Sequence, residues 1–184
     1  IGTSCNVLPG WFNVDIIPLY EGAHFMDATL RFPFPDSCFD YIFSEHMIEH
    51  VEYDQAQFML GECHRVLKPG GRIRIATPDL EVIANLYASE KTPAQQRYLD
   101  QFYALWFPTA PKKSVGLVVN QLFDFEHKFL YDEDTLGACL ESSGFDRVVR
   151  MQPGSSSDPA LTGIDAHSND YITFETFVLE AVRP

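Results

Sequence analysis

Residues 39–77 alternate strand, helix and strand, and that alternation constrains the chain more than any other feature. The run Phe39–Asp40–Tyr41–Ile42–Phe43 is strand-like and leads into the polar segment Ser44–Glu45–His46–Met47–Ile48–Glu49–His50. From Tyr53 to Leu67 the apolar residues Ala56, Met59, Leu60, Cys63, Val66 and Leu67 recur at three- and four-residue spacing. That spacing predicts a helix with one buried stripe. Pro69 and Gly70–Gly71 then stop the helix and turn the chain into a strand, Arg72–Thr77.

The pattern extends along the chain. Further strands are expected at Phe12–Ile17, Asp146–Met151 and Tyr171–Ala181. A helix opens at Thr77–Pro78–Asp79, with Thr77 as N-cap and Pro78 at the first helical position. Another starts at an Asp132 N-cap, buries Leu136, Cys139 and Leu140, and ends at Gly144 as the C′ residue. Strands alternating with helices favour an α/β sheet. Arg72 and Arg74 alternate with Ile73 and Ile75 inside one strand. A central parallel strand is usually apolar on both faces. Either one face is incompletely covered, or Arg74 pairs with a carboxylate.

At 184 residues the chain is expected to form one domain, residues 1–184, with a full core. Its net charge of −13 argues against a nucleic-acid partner, which needs a basic surface. The four cysteines are scattered without a CxxC pair, which suits reduced thiols and a cytoplasmic location. No apolar run is long enough to span a membrane. Ile1–Gly2–Thr3 reads like the end of a strand, and further natural sequence is expected upstream.

Several residues stand where such a sheet would hold a ligand. Gly2 permits close backbone approach, and Thr3 and Ser4 supply hydroxyls, although an ordinary turn would look the same. Asp15, followed by Ile16, ends a strand, where a carboxylate accepts from both ribose hydroxyls of a nucleoside or is simply solvated. Asp27, followed by Ala28, either accepts from an adenine amine or makes an Asx-type turn.

Together these signals line up with a family. The runs Phe34–Pro35–Asp36–Ser37–Cys38–Phe39–Asp40–Tyr41–Ile42, His46–Met47–Ile48–Glu49–His50, Glu62–Cys63–His64–Arg65–Val66–Leu67–Lys68–Pro69–Gly70–Gly71 and Leu136–Gly137–Ala138–Cys139–Leu140–Glu141–Ser142–Ser143–Gly144–Phe145 carry the resemblance. In order and spacing the chain resembles class I S-adenosylmethionine-dependent methyltransferases of the small bacterial type 11-like kind. The resemblance implies a doubly wound, Rossmann-like, seven-stranded and mostly parallel sheet with its last strand antiparallel. It implies S-adenosylmethionine bound across the C-terminal strand ends. Gly2, Thr3 and Ser4 would line its methionine end, Asp15 and Ile16 its ribose, and Asp27 and Ala28 its adenine. Ser44, Glu45 and His46 would sit at the cofactor edge and the substrate mouth. Residues 80–130, rich in aromatics, fall where the family places substrate-covering elements, and His127 beside them is a candidate general base, as is His46.

The chain departs from the family pattern in two ways. The loop Gly2–Thr3–Ser4–Cys5–Asn6 has fewer glycines than the family's. The helix between the first two strands has no room, so a loop is expected there. Upstream residues or a second subunit, in a homodimer, are expected to cover the sheet surface this leaves bare.

His46–Met47–Ile48–Glu49–His50 also matches the H-x-x-E-H pattern of inverted zinc proteases. Positions four apart share a helix face, so two imidazoles there would reach one metal. A third ligand is required downstream and nothing in the sequence singles one out, so no metal is assigned. The leading expectation is S-adenosylmethionine-dependent methyl transfer to a small-molecule or glycan-type acceptor. A non-catalytic methyltransferase-like binding or regulatory protein is the second reading, and a zinc hydrolase the third.

Overall fold

The computed structural model describes residues 1–4, 6–167 and 170–184. Strand β1 (Asn13–Asp15) pairs in parallel with β2 (Ala23–Phe25). The other sheet has the order β3 (Phe39–Glu45), β4 (Leu67–Pro78), β6 (Thr176–Val182), β5 (Asp146–Met151). Strand β3 runs parallel to β4, and β6 runs antiparallel to both β4 and β5. The architecture is therefore α/β with its last strand antiparallel. Among the described residues it has six strands in two sheets, where seven in one sheet were expected.

The reason for the break lies at Ile1–Thr3. This segment sits between β1 and β3 and bonds to both, through Ile1 N to Phe43 O at 2.6 Å and Gly2 N to Val14 O at 3.0 Å. It forms no strand of its own. A cavity of about 420 Å³ opens between the same two strands, lined by Ile1, Trp11, Val14, Phe34, Tyr41 and Phe43. The described residues between Ser4 and β1 form turns and no helix, as the short spacing predicts.

Helix α1 (Tyr53–Val66) buries the expected stripe: Ala56, Met59, Leu60, Cys63 and Val66 are all at most 1% exposed. Its exit differs from the expected stop, since β4 begins directly at Leu67. Lys68–Gly71 form an excursion inside the strand, with Phe39 opposite Leu67 but Tyr41 already opposite Arg72. Gly71 has to be glycine there, because a Cβ would lie 2.8 Å from Lys68 O and 3.0 Å from Asp40 O.

Other helix ends divide into confirmations and corrections. Helix α5 (Glu133–Ser142) is capped by Asp132, whose carboxylate accepts from Thr135 N at 2.8 Å, and Gly144 follows it at φ +97°. Helix α2 (Leu80–Asn85), in contrast, is capped by Asp79, whose Oδ1 accepts from Glu81 N and Val82 N. Thr77 and Pro78 still belong to β4, paired with Phe177 and Thr176, so Thr77 is a buried strand residue and not the cap. The segment Tyr171–Ala181 is also split. Its first part is helix α6 (Asp170–Glu175), and β6 begins at Thr176.

Residues 80–130 hold helix α3 (Pro93–Trp106) and helix α4 (Val115–Asp124) beside α2. Tyr98, Leu99, Phe102, Val118, Leu122 and Tyr171 form a second apolar cluster between them, so most of these aromatics are core. Tyr87 and Phe123 remain exposed. No helix among the described residues is long and apolar enough to cross a membrane. Cys38, Cys63 and Cys139 are free thiols, and Cys5 lies outside the described residues.

The alternating arginines are explained by pairing. Arg74 is fully buried and donates to both Asp165 oxygens, at 2.8 and 2.7 Å, and to Glu180 Oε1 at 2.5 Å. Ser155 O accepts a further bond from it at 3.0 Å. The loop after β5 thus closes over this part of the sheet and supplies the counter-charge.

A second ion pair makes stability depend on pH. Glu62, 9% exposed, accepts from Phe32 N and from Arg65 Nε and Nη2. The Arg65 contact holds its carboxyl below the ordinary value of 4.5. A lowered folded-state value adds stability above the unfolded-state value and loses it as the pH falls through the folded one. The denaturation midpoint should therefore drop as the pH is taken below 4.5. In Glu62→Gln the drop should be shallower; parallel curves for the two proteins would contradict this assignment.

Candidate active site

The expected ligand residues gather where β1, β2 and β3 end. Gly2 takes φ +71°, and Ser4 follows at φ +43°, a left-handed conformation unusual outside glycine. This geometry turns the loop so that Ser4 N donates to Asp15 Oδ2 at 2.8 Å. Asp15 Oδ1 accepts from Ile17 N at 2.9 Å, so the carboxylate is held from both sides. Each carboxylate oxygen has two acceptor positions, so both keep one for a ligand hydroxyl. Ile16 is exposed beside it. Asp27 Oδ1 accepts from Thr29 N and Thr29 Oγ1, which is an Asx-type turn, and Ala28 is buried next to it.

The third edge is the end of β3. Ser44 is 1% exposed and its hydroxyl has no hydrogen-bond partner. Glu45 Oε1 meets His167 Nε2 at 2.7 Å, and Glu45 Oε2 lies 3.5 Å from Asn6 Nδ2. Gly2, Thr3, Ser4, Asp15, Ser44 and Glu45 thus come together at one end of the parallel strands. Open α/β sheets bind their ligands outside that end.

The histidines form a separate cluster behind this edge. The H-x-x-E-H segment is not a helix: His46 sits at φ +43°, and only Ile48–His50 form a single 3-10 turn. His46 and His50 therefore do not share a helix face, and the inverted zinc-protease reading fails on geometry. Glu49 is fully buried at the centre of the cluster. Its Oε2 accepts from Thr77 Oγ1 at 2.9 Å and its Oε1 lies 3.3 Å from His46 Nδ1. Burial alone would raise this carboxyl, but His46 and the backbone around it more than offset that and hold it below its ordinary value. His46 moves the other way: burial lowers it, and Glu49 with its acidic neighbours brings it above its ordinary value.

His127 joins this cluster from residues 80–130. Lys128 N and Phe129 N both donate to Glu49 O, at 2.7 and 3.2 Å, which pins the His127 segment to the turn. Its ring lies 4.8 Å from that of His50, nearly perpendicular to it. Burial pushes the His127 imidazole down to about 4, so it is neutral at neutral pH. Its Nδ1 is buried and has no hydrogen-bond partner.

Three neighbours of the site were not expected from sequence. Met47 packs so closely on Gly2 that a Cβ there would lie 2.5 Å from its Cβ and Cγ. His167 and Glu45 are 122 residues apart, and Thr176, which meets His46 Nε2 at 2.9 Å, is 130 residues away. No local pattern links such positions. The 420 Å³ cavity is not lined by Asp15, Asp27 or Ser44, so it is distinct from this edge.

Residues 18–75 match the profile of a methyltransferase domain family. A Mycolicibacterium smegmatis protein named "Probable S-adenosylmethionine-dependent methyltransferase" is 47% identical over 47 residues, 26% of this chain and 18% of that protein. The phosphoethanolamine N-methyltransferase of Plasmodium falciparum is 28% identical over 108 residues, covering 54% of this chain and 41% of its own length. The chain therefore matches less than half the length of either curated relative. Among solved structures, a SAM-dependent methyltransferase from Archaeoglobus fulgidus superposes with a TM-score of 0.54 at 19% identity, over 92% of this chain and 74% of the other. Residues 18–75 are thus similar in sequence to a methyltransferase domain, and over 92% of its length the chain shares the fold of a solved SAM-dependent methyltransferase.

Proposed function

We propose that this protein transfers a methyl group from S-adenosylmethionine to a small-molecule or glycan-type acceptor. The observation that carries the reading is the joint between Ser4 N and Asp15 Oδ2, which sets a glycine turn and a carboxylate side by side at the C-terminal strand ends. The residues present fit a nucleoside-bearing cofactor. Asp15 keeps acceptor positions for ribose hydroxyls, Asp27 Oδ2 takes no part in its Asx turn, and the buried Ser44 hydroxyl still needs a partner.

S-adenosylmethionine supplies an already activated methyl on its sulfonium, so the chain mainly has to align a nucleophile with the S–CH3 bond. Gly2 and Ser4 shape the loop against which the methionine end rests. Asp15 fixes the ribose, and Asp27 with Ala28 fixes the adenine. Ser44, Glu45 and His46 border the mouth through which the acceptor approaches. His46 and His127 stand at the far side of that mouth, where a proton released by the nucleophile would be taken up.

Calorimetric titration with S-adenosylhomocysteine tests the reading. Saturable binding is expected, and no binding at millimolar ligand would end it. Asp15→Ala should weaken the affinity more than about tenfold, the loss of one good hydrogen bond to a charged group. An unchanged affinity would remove Asp15 from the ribose.

A further inference from the structure

We propose that Glu49, His50 and His127 form a binding site for one divalent cation of the first transition row. One ligand atom from each of the three lies within 4.8 Å of the others. Such metals hold nitrogen and oxygen donors at about 2.0–2.2 Å, so bound donors are at most about 4.4 Å apart. His50 is the exposed member of the three, so it would be the one to shift slightly as the set contracts around a metal.

Atoms lining this space lack hydrogen bonds. Glu49 is 0% exposed, and its Oε1 accepts no hydrogen bond, with His46 Nδ1 at ion-pair distance, 3.3 Å away. His127 Nδ1 is likewise buried without a partner. Leaving buried polar atoms unpaired costs about 1–3 kcal/mol each, more for a charged group. A cation satisfies a carboxylate oxygen and an imidazole lone pair together.

The donors are also held in place before any metal arrives. Thr77 Oγ1 fixes the other Glu49 oxygen, and Lys128 N and Phe129 N bind the Glu49 carbonyl. Such outer contacts orient metal ligands. Two imidazoles and one carboxylate favour zinc, iron, cobalt or nickel over magnesium or calcium. Three protein ligands leave coordination positions open. If the methyl-transfer reading holds, an acceptor hydroxyl would fill one of them and be deprotonated more easily there. The site itself does not depend on that reading. It changes the role of His127 from base to ligand, and it supplies the downstream donor that the sequence did not single out.

The test is titration of chelator-stripped protein with Co²⁺, followed by calorimetry and visible absorption. One Co²⁺ per chain is expected, with ligand-field bands from a nitrogen- and oxygen-ligated site. His50→Ala and His127→Ala should each weaken uptake at least about tenfold, and His24→Ala, on the distant β2 strand, should leave it unchanged. Because His50 is exposed, its variant keeps the fold even if His127→Ala does not. No Co²⁺ uptake, or equal uptake by wild type and His50→Ala, would overturn the site and leave a water bridging the donors. Running the titration without S-adenosylhomocysteine keeps its outcome separate from that of the cofactor experiment.

Discussion

Arg74→Met is expected to destabilise the fold by about 3–5 kcal/mol, because it leaves two carboxylates buried without their counter-charge. The side chains of Asp165 and Glu180 are only 1% and 6% exposed, and Arg74 is the residue that bonds to both. Arg72 reaches Glu180 at 3.9 Å and cannot replace it. Asp165→Asn should cost less, since Glu180 still balances the guanidinium. Changing all three residues to apolar ones of similar size should recover much of the loss, as buried ion pairs often exchange for well-packed hydrophobic groups without penalty. Urea denaturation midpoints of the three variants check this ordering. A midpoint unmoved by Arg74→Met would mean that the network is not held as described.

Gly2→Ala should be the most damaging change at the cofactor edge. Its φ of +71° costs a residue with a Cβ about 1–2 kcal/mol. The new methyl would also lie 2.5 Å from Met47 Cβ and Cγ, where something must shift. Met47 adjoins His46, so the displacement reaches both the loop over Asp15 and the histidine cluster. S-adenosylhomocysteine affinity should fall by more than about tenfold, taking the conformational cost alone as the lower bound. Adding Met47→Gly should remove the collision and leave only the conformational part. If the single variant binds like wild type, the loop does not shape the site.

What the sequence showed and what it hid follow the range of the forces involved. Helix α1 was legible because Ala56, Met59, Leu60, Cys63 and Val66 declare their face within one segment. Asp132 and Gly144 were legible for the same reason, as caps act on backbone groups a few residues away. Thr77 was misread as a cap because pairing with Phe177, a hundred residues away in the chain, carries β4 through Pro78. In Tyr171–Ala181 an aromatic and β-branched run suits either state, and tertiary packing of Tyr171 and Phe174 into the α3 cluster settles its first half as helix.

The site divides along the same line. Gly2, Ser4 and Asp15 are close in sequence and fall together in space. The central place of Glu49 left no mark in the sequence because its partners, Thr77 and the His127 segment, come from two other elements. The H-x-x-E-H match pointed towards a metal through the wrong residue. His46 lies outside the donor set, and Glu49 lies inside it.

The narrow join between the two sheets has a mechanical consequence. Among the described residues, backbone hydrogen bonds pass between them only through Ile1, Gly2 and Thr3. Asp15 and Asp27 stand on one side of that seam, and Ser44 and Glu45 on the other. A molecule gripped by both sides would act as a rivet, closing the seam as it binds. Its affinity and the cohesion of the molecule would then be one linked quantity, each raised by whatever raises the other.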